Sequence, residues 1–308
     1  MTYELTGQRV LLTGASSGIG RELAKELAQR GARLALIARR ASLLKDLAAE
    51  VEAAGAAAPV LIPADLSERG SADAVAEHAV VELGGVDTVI NNAGSGVGGL
   101  QWTVGDCDSA RAMFETNLWS AIALVGRLVP SMRQRHCGTI VNVTSLAQVL
   151  TMWALGHYAA SKAALALATE TLRLELTGSG VHVLEVVVGP TNTAIQGETR
   201  LIAGAEEAIG SAPLGDPARL ARLIVAAIER RRRRVVFPRV YQPLYVFPAL
   251  GRAYMPRLAA RLYRQGKLNV DDARVVRGGS LGDEIAREAR ERWARERMPV
   301  DGAPKSMS

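Results

Sequence analysis

The chain reads as a doubly wound α/β protein built on one all-parallel sheet, and three observations predict this. Short, nearly continuous apolar runs alternate with longer amphipathic stretches along most of the 308 residues, as when crossover helices cover both faces of a sheet. The first run, Val10-Leu11-Leu12, leads directly into the glycine-rich stretch Thr13-Gly14-Ala15-Ser16-Ser17-Gly18-Ile19-Gly20, a strand-to-helix turn of the kind that opens nucleotide-binding units. Right-handed crossovers between successive parallel strands then place helices on both faces.

Taken in order, the strands fall at residues 9–14, 33–39, 59–64, 86–91, 139–145, 181–188 and 235–238, which makes seven. The helices fall at 18–30, 42–54, 72–83, 106–136, 154–177 and 217–231, the fourth being one long helix that carries Asn117. No internal repeat is evident.

Three stretches carry chemistry. In the glycine turn, residues without a Cβ let the backbone bend sharply and approach a diphosphate, while the N–H groups opening the next helix face the anion. The same residues also suit an ordinary strand-to-helix turn. Asn91-Asn92-Ala93-Gly94 closes the fourth strand, and Ser145 closes the fifth, where a side chain points into the crevice used by ligands in open α/β sheets. Tyr158 and Lys162, in Gly156-His157-Tyr158-Ala159-Ala160-Ser161-Lys162, lie four residues apart on one helix face. A cation beside a phenol favours the phenolate and brings it toward general acid–base work.

This set, TGxxxGxG at 13–20, Asn91-Asn92-Ala93-Gly94, Asn117, Ser145 and Tyr158 with Lys162, resembles the short-chain dehydrogenase/reductase family over about residues 7–240. The resemblance implies a Rossmann sheet of seven strands in the order 3-2-1-4-5-6-7. It makes Tyr158 the proton donor to a substrate carbonyl and Ser145 a hydrogen-bond donor to the same oxygen. Lys162 would hold the nicotinamide ribose and depress the tyrosine pKa, and Asn117 would anchor a water in a proton relay. Gly14, Ser16, Ser17, Gly18, Ile19, Gly20, Asn92, Ala93 and Gly94 would line the dinucleotide. Asp65 and Leu66 would sit at the adenine, unless Asp65 is simply a helix cap. Pro190, Thr191 and Thr193 would meet the nicotinamide end, although Val188 stands where relatives often have proline.

Cofactor preference is read at the end of the second strand. Ala38 stands where NAD-preferring relatives usually carry an acid, and Arg39 and Arg40 follow. Guanidinium forks suit a 2′-phosphate, so NADP(H) is expected over NAD(H). The alternative is a pair of solvated arginines at a helix start. Leu146, Gln148, Trp153, Ile195, Leu201 and Ile202 are expected to line an apolar pocket under a lid at 194–213, with Gly197, Gly204 and Gly210 as flexible points. They could equally be ordinary core residues.

Composition narrows the class. With 48% hydrophobic and 22% charged residues, the chain has the balance of a soluble globular protein. Two cysteines, Cys107 and Cys137, suggest no disulfide framework, and a reducing cytoplasm is the expected setting. No signal-peptide pattern opens the chain, and no apolar run is long enough to span a bilayer. His78, His136, His157 and His182 lack ligand spacing, so no metal is expected.

The organisation expected is a catalytic Rossmann domain at 1–240, a basic, aromatic-rich helical extension at 241–298 and a disordered tail at 299–308. Five consecutive arginines, Arg230 to Arg234, precede aromatics interleaved with further arginines through Arg264. A flap over the pocket or a subunit contact (dimer or tetramer) is the favoured role, followed by peripheral membrane contact through 230–264. A net charge of +6 is modest for nucleic-acid binding, and no nucleic-acid partner is expected. The activity expected is NADPH-dependent reduction of an apolar ketone or aldehyde, or the reverse oxidation. The alternatives are a 3-oxoacyl thioester reductase, a non-catalytic NADP(H)-sensing regulator and a membrane adaptor.

Overall fold

The computed structural model describes residues 3–192 and 214–265. Its strands are β1 (Arg9–Thr13), β2 (Arg33–Ala38), β3 (Val60–Pro63), β4 (Thr88–Asn91), β5 (Gly138–Ser145), β6 (Val181–Val188) and β7 (Arg234–Phe237). They form one seven-stranded sheet in the order β3-β2-β1-β4-β5-β6-β7, with every pairing parallel. This is the expected doubly wound arrangement. The chain runs outward from β1 to β3, then returns to β4 on the other side of β1. The ends of β1 and β4 thereby meet at the reversal where such sheets bind ligands.

Helices α1 (Gly18–Gln29) and α2 (Ala41–Ala53) cover one face. They pack through Leu23, Leu27, Leu44 and Leu47 onto Leu12, Leu36 and Val141. Helices α3 (Ser71–Leu83) and α6 (Ser120–Gln134) cover the other. There Val75, Ala79, Leu124 and Leu128 meet Leu11, Ile37, Val89 and Ile140. Strand residues of opposite parity serve the two layers, which is why β1 and β2 read as unbroken apolar runs. Between these helices come α4 (Gln101–Val104), α5 (Asp108–Phe114) and, after β5, α7 (Gly156–Glu175). Helix α8 (Pro217–Glu229) packs beside α1. Its start follows the sequence rule: Asp216 accepts from Ala218 N at 3.2 Å and Arg219 N at 3.0 Å, with proline in the first turn.

One expected helix is broken. The stretch read as a single helix over 106–136 is α5, a π-helical turn (Glu115–Trp119) and α6. The Thr116 hydroxyl donates to Ala112 O at 3.0 Å and that of Ser120 to Thr116 O at 2.7 Å. Such bonds to the preceding turn bend helices, and Ser120 N–H reaches back to Glu115 O. Periodicity alone does not register one inserted residue. Helix α4 was not expected, being only four residues long.

After β7 the chain forms α9 (Gln242–Val246) and α10 (Pro248–Arg264). Thr193 and the expected lid at 194–213, with Ile195, Leu201 and Ile202, lie outside the described residues, as do positions 266–298 of the expected extension and the tail at 299–308. No helix among the described residues is long and apolar enough to cross a membrane.

Candidate active site

The glycine turn and the end of β4 are built as one piece. Thr13 Oγ1 accepts from Asn92 N at 3.0 Å and Ala93 N at 2.9 Å. Asn92 Nδ2 donates to Thr13 O at 3.0 Å and Gly14 O at 3.2 Å. The packing admits no side chain. A Cβ on Gly20 would stand 2.1 Å from Gly14 O, and one on Gly14, at φ 68°, would stand 2.8 Å from Ala93 Cα. The turn delivers the start of α1 with Ser17 exposed at the N-cap, making no side-chain cap, and with no acid in the first turn. A helix start with free N–H groups and no competing carboxylate fits a diphosphate. Ser16 and Ile19 are half-buried in the same turn.

Arg39 and Arg40 are exposed just beyond β2. Arg39 Nη1 stands 3.9 Å from Asp65 Oδ2, a loose contact that leaves its donors available. The other oxygen of Asp65 accepts from Ser67 N at 2.9 Å and Ser67 Oγ at 2.8 Å. Asp65 thus closes a local turn rather than capping α3, whose N-cap is Gly70. Leu66 is buried beneath it. Arg21 is paired with Glu50 and turned away from this role.

At the other side of the crevice, β5 and α7 bring their polar residues together. Ser145 ends β5, 8% exposed, with its Oγ accepting from Ala147 N at 3.2 Å. Its hydroxyl lies close enough to the Tyr158 phenol to act on its titration. Burial raises the Tyr158 pKa above its ordinary value and the Ser145 hydroxyl opposes that rise. Lys162 is buried, with Nζ donating to Val143 O at 3.0 Å, and burial lowers its pKa to about 8. The expected net depression of the tyrosine by the lysine is therefore not what the ligand-free site shows. Desolvation outweighs it, and it loosens the proton of Lys162 as well.

Asn117 lies in the π turn, 1% exposed. Its Oδ1 accepts from Ser95 N at 2.9 Å, and its Nδ2 donates to Ser95 O at 2.9 Å and Ser161 Oγ at 3.0 Å. Both N–H donors and one lone pair of the side chain are taken in pinning the 95 loop to α7. An ideal Cβ on Gly94 would lie 3.4 Å from both Asn117 Oδ1 and Lys162 Nζ. The absent side chain thus leaves a way from the crevice to the lysine.

Of the expected pocket residues, Leu146 is buried and Trp153 half-buried, packed with Met152 and Leu155. Gln148 Nε2 donates to Glu185 Oε1 at 3.0 Å, and its buried Oε1 is left without a hydrogen-bond partner. Pro190 and Thr191 follow β6, with Thr191 buried and its hydroxyl donating to Gly189 O at 3.0 Å. Val188, in place of the family proline, keeps an N–H and lets β6 stay in register with β5 up to the Ser145–Val188 pair. Sequence reasoning missed a buried polar chain. Asn91 Nδ2 donates to Asn142 Oδ1 and Asn142 Nδ2 to Thr169 Oγ1, both at 2.8 Å, tying α7 to β4 and β5. The signal was present in the polar residues inside two buried strands. No group of three or more potential metal ligands occurs among the described residues.

A family model described as short chain dehydrogenase matches residues 8–203. The 11-beta-hydroxysteroid dehydrogenase 1A of Arabidopsis thaliana is 33% identical over 255 residues, covering 80% of this chain and 72% of the relative. The ketoacyl reductase HetN of a Nostoc strain is 35% identical over 235 residues, covering 75% and 79%. Among solved structures, L-sorbose reductase from Gluconobacter frateurii, complexed with NADPH and L-sorbose, superposes with a TM-score of 0.69 at 26% identity, over 77% of this chain and 97% of that one. A short-chain dehydrogenase/reductase from Burkholderia phymatum in complex with NAD gives 0.70 at 27% identity, over 78% and 92%. The chain belongs to the short-chain dehydrogenase/reductase family, oxidoreductases that work with a nicotinamide cofactor.

Proposed function

We propose that the chain is an NADPH-dependent oxidoreductase that interconverts an apolar ketone or aldehyde with its alcohol. The observation that carries this is the convergence of Ser145, at the end of β5, on Tyr158, whose titration its hydroxyl affects, with Lys162 one turn further along α7. The bound nicotinamide supplies or takes up the hydride. Tyr158 gives its proton to the carbonyl oxygen in reduction, and Ser145 donates to the same oxygen as negative charge builds there. Burial keeps the Tyr158 phenol protonated near neutrality, the form that reduction requires. Lys162 holds the ribose and, with a pKa of about 8, returns the proton to the tyrosine, passing it inward by the carbonyl of Asn117. Gly14, Ser16, Ser17, Gly18, Ile19 and Gly20 cradle the diphosphate, with Asn92, Ala93 and Gly94 behind it and Asp65 and Leu66 at the adenine. Arg39 and Arg40 take the 2′-phosphate. Pro190, Thr191 and Thr193 border the nicotinamide.

The substrate is apolar on this reading, because Leu146 directly follows Ser145 and Trp153 lies in the loop that leads on to Tyr158. The printed activities of the similar proteins, on hydroxysteroids and ketoacyl groups, are compatible with an extended apolar substrate. The C-terminal helices support the flap reading. A Cβ on Gly251 of α10 would touch Leu150, in the loop between Ser145 and Tyr158, and Arg252 Nε donates to Val149 O at 3.1 Å. Their outer side leaves Val246, Phe247, Leu250, Tyr254 and Tyr263 exposed. Ten arginines and no carboxylate lie between 230 and 265. An anionic membrane surface suits that combination, and a second copy of the chain suits the exposed Trp119, Ile122, Leu167 and Leu174 on α6, α7 and the π turn.

Tyr158→Phe is expected to lower turnover by roughly 100-fold to 10,000-fold while NADPH binding, followed by fluorescence, stays near wild type; retained turnover rejects the proton role. Arg39→Ala with Arg40→Ala is expected to raise the Michaelis constant for NADPH roughly tenfold or more, with that for NADH little changed; equal losses remove the phosphate argument. Lys162 has a folded pKa of about 8 against an ordinary 10.5. The unfolded chain therefore holds that proton more tightly, and ligand-free stability rises with pH across that window. Accordingly, Lys162→Met is expected to abolish turnover yet stabilise the ligand-free protein at neutral pH by on the order of 1–3 kcal/mol, read by thermal melting. A lower melting temperature contradicts the burial cost assigned to the lysine. The full-length protein is expected to sediment with anionic but not neutral vesicles, releasing at high salt. Loss of that selectivity rejects membrane contact.

A further inference from the structure

Glu185 stands in the middle of β6 with no exposed surface. A carboxylate buried there is costly unless its lone pairs are met, and three donors meet them. Thr144 Oγ1 donates to Oε1 at 3.1 Å and Gln148 Nε2 to the same atom at 3.0 Å, while Arg234 Nε donates to Oε2 at 2.6 Å. Two of the three belong to the segment around Ser145. Thr144 precedes the serine, and Gln148 closes the 3-10 turn (Leu146–Gln148) whose Ala147 N–H is bonded to Ser145 Oγ. The Arg234 guanidinium is also paired with Glu170, on the helix that carries Tyr158. It stacks 4.9 Å from the centre of the Tyr245 ring on α9.

We propose that Glu185 is a positioning residue that sets Ser145 against Tyr158 by holding the residues on both sides of the serine, with Arg234 carrying the restraint to α7 and to the C-terminal helices. The proposal rests on the reading of Ser145 and Tyr158 given above. Arg234 meets only one oxygen of the carboxylate, and the donors that meet the other, Thr144 and Gln148, are the ones that flank the serine. Charge matters here through the acceptor count. A carboxylate accepts at both oxygens and a carboxamide at one. Glu185→Gln therefore keeps the volume but turns an NH2 group either toward Arg234 or toward Thr144 and Gln148. One side of the network loses its acceptor whichever way the amide lies.

The test reads Tyr158 itself, by ultraviolet difference titration of its phenolate in the full-length protein without substrate, with Tyr158→Phe as the blank. The Ser145 hydroxyl lowers the Tyr158 pKa against the rise that burial imposes. The other titratable side chains about the phenol are Lys162, a turn further on, and Cys107, across the apolar cluster formed with Val97, Val104 and Met113. Ser145→Ala is expected to raise the midpoint by about one unit, and Glu185→Gln to raise it in the same direction. The double variant is expected to go no further than Ser145→Ala alone, because both changes act through that one hydroxyl. Gln148→Leu, at a half-buried turn position, should shift it the same way and stands in if Glu185→Gln fails to fold. An unmoved midpoint in the folded variants, or a double variant whose shift is the sum of the singles, overturns the proposal. A Ser145→Ala midpoint equal to wild type overturns the underlying reading of the site together with it.

Discussion

A buried ammonium organises the site. Lys162 enters an apolar layer where an ion is costly. Among the described residues its hydrogen-bond acceptor is the Val143 carbonyl, at 3.0 Å. The pairing of β5 with β4 stops at Asn142, one residue before that carbonyl, while its pairing with β6 continues to Ser145. The ammonium therefore sits at the sheet end with donors to spare for a ligand. Much of the surrounding architecture serves to keep α7 at this height. The Asn91–Asn142–Thr169 chain and the Arg234–Glu170 pair hold its C-terminal half, and Asn117 with Ser161 fixes the turn that bears Lys162.

Polar groups inside the sheet thus act as a register device. Apolar side chains on β5 and α7 would tolerate small axial shifts at little cost. A chain of buried amides and hydroxyls does not, since a shift leaves donors unmatched in a dry interior. The π turn belongs to the same scheme. One extra residue turns Asn117 inward so that its amide clamps the Ser95 backbone through both donor and acceptor. Insertions of this type recur at functional sites because they re-aim a single side chain without dismantling the helix.

The C-terminal helices add a layer that the sheet itself does not require. Gly251 against Leu150 and Arg252 on the Val149 carbonyl put α10 over the loop joining Ser145 to Tyr158. Tyr245 and Arg234 link α9 to the buried Glu185. Whatever seats these helices bears on the loop that forms one wall of the crevice. Their outward side is basic and aromatic, while their inward side packs on that loop.

The alternation of apolar runs with amphipathic stretches made the sheet, its seven strands and the helical layers legible, because burial on both faces turns parallel strands into near-continuous apolar runs. The glycine turn, the strand-end Ser145 and the four-residue step from Tyr158 to Lys162 were likewise legible, since short-range geometry fixes where such residues point. Long-range contact decided the rest. Glu185 read as one acid in an apolar strand until Thr144, Gln148 and Arg234 were brought around it. Gln148 read as a pocket residue, and only the fold shows that its NH2 group is held by Glu185. The break at 115–119 was hidden because inserting one residue barely alters a hydrophobic period. The state of Tyr158 also needed the fold: proximity to a cation argues for a lowered pKa, and only the depth of burial shows that desolvation prevails.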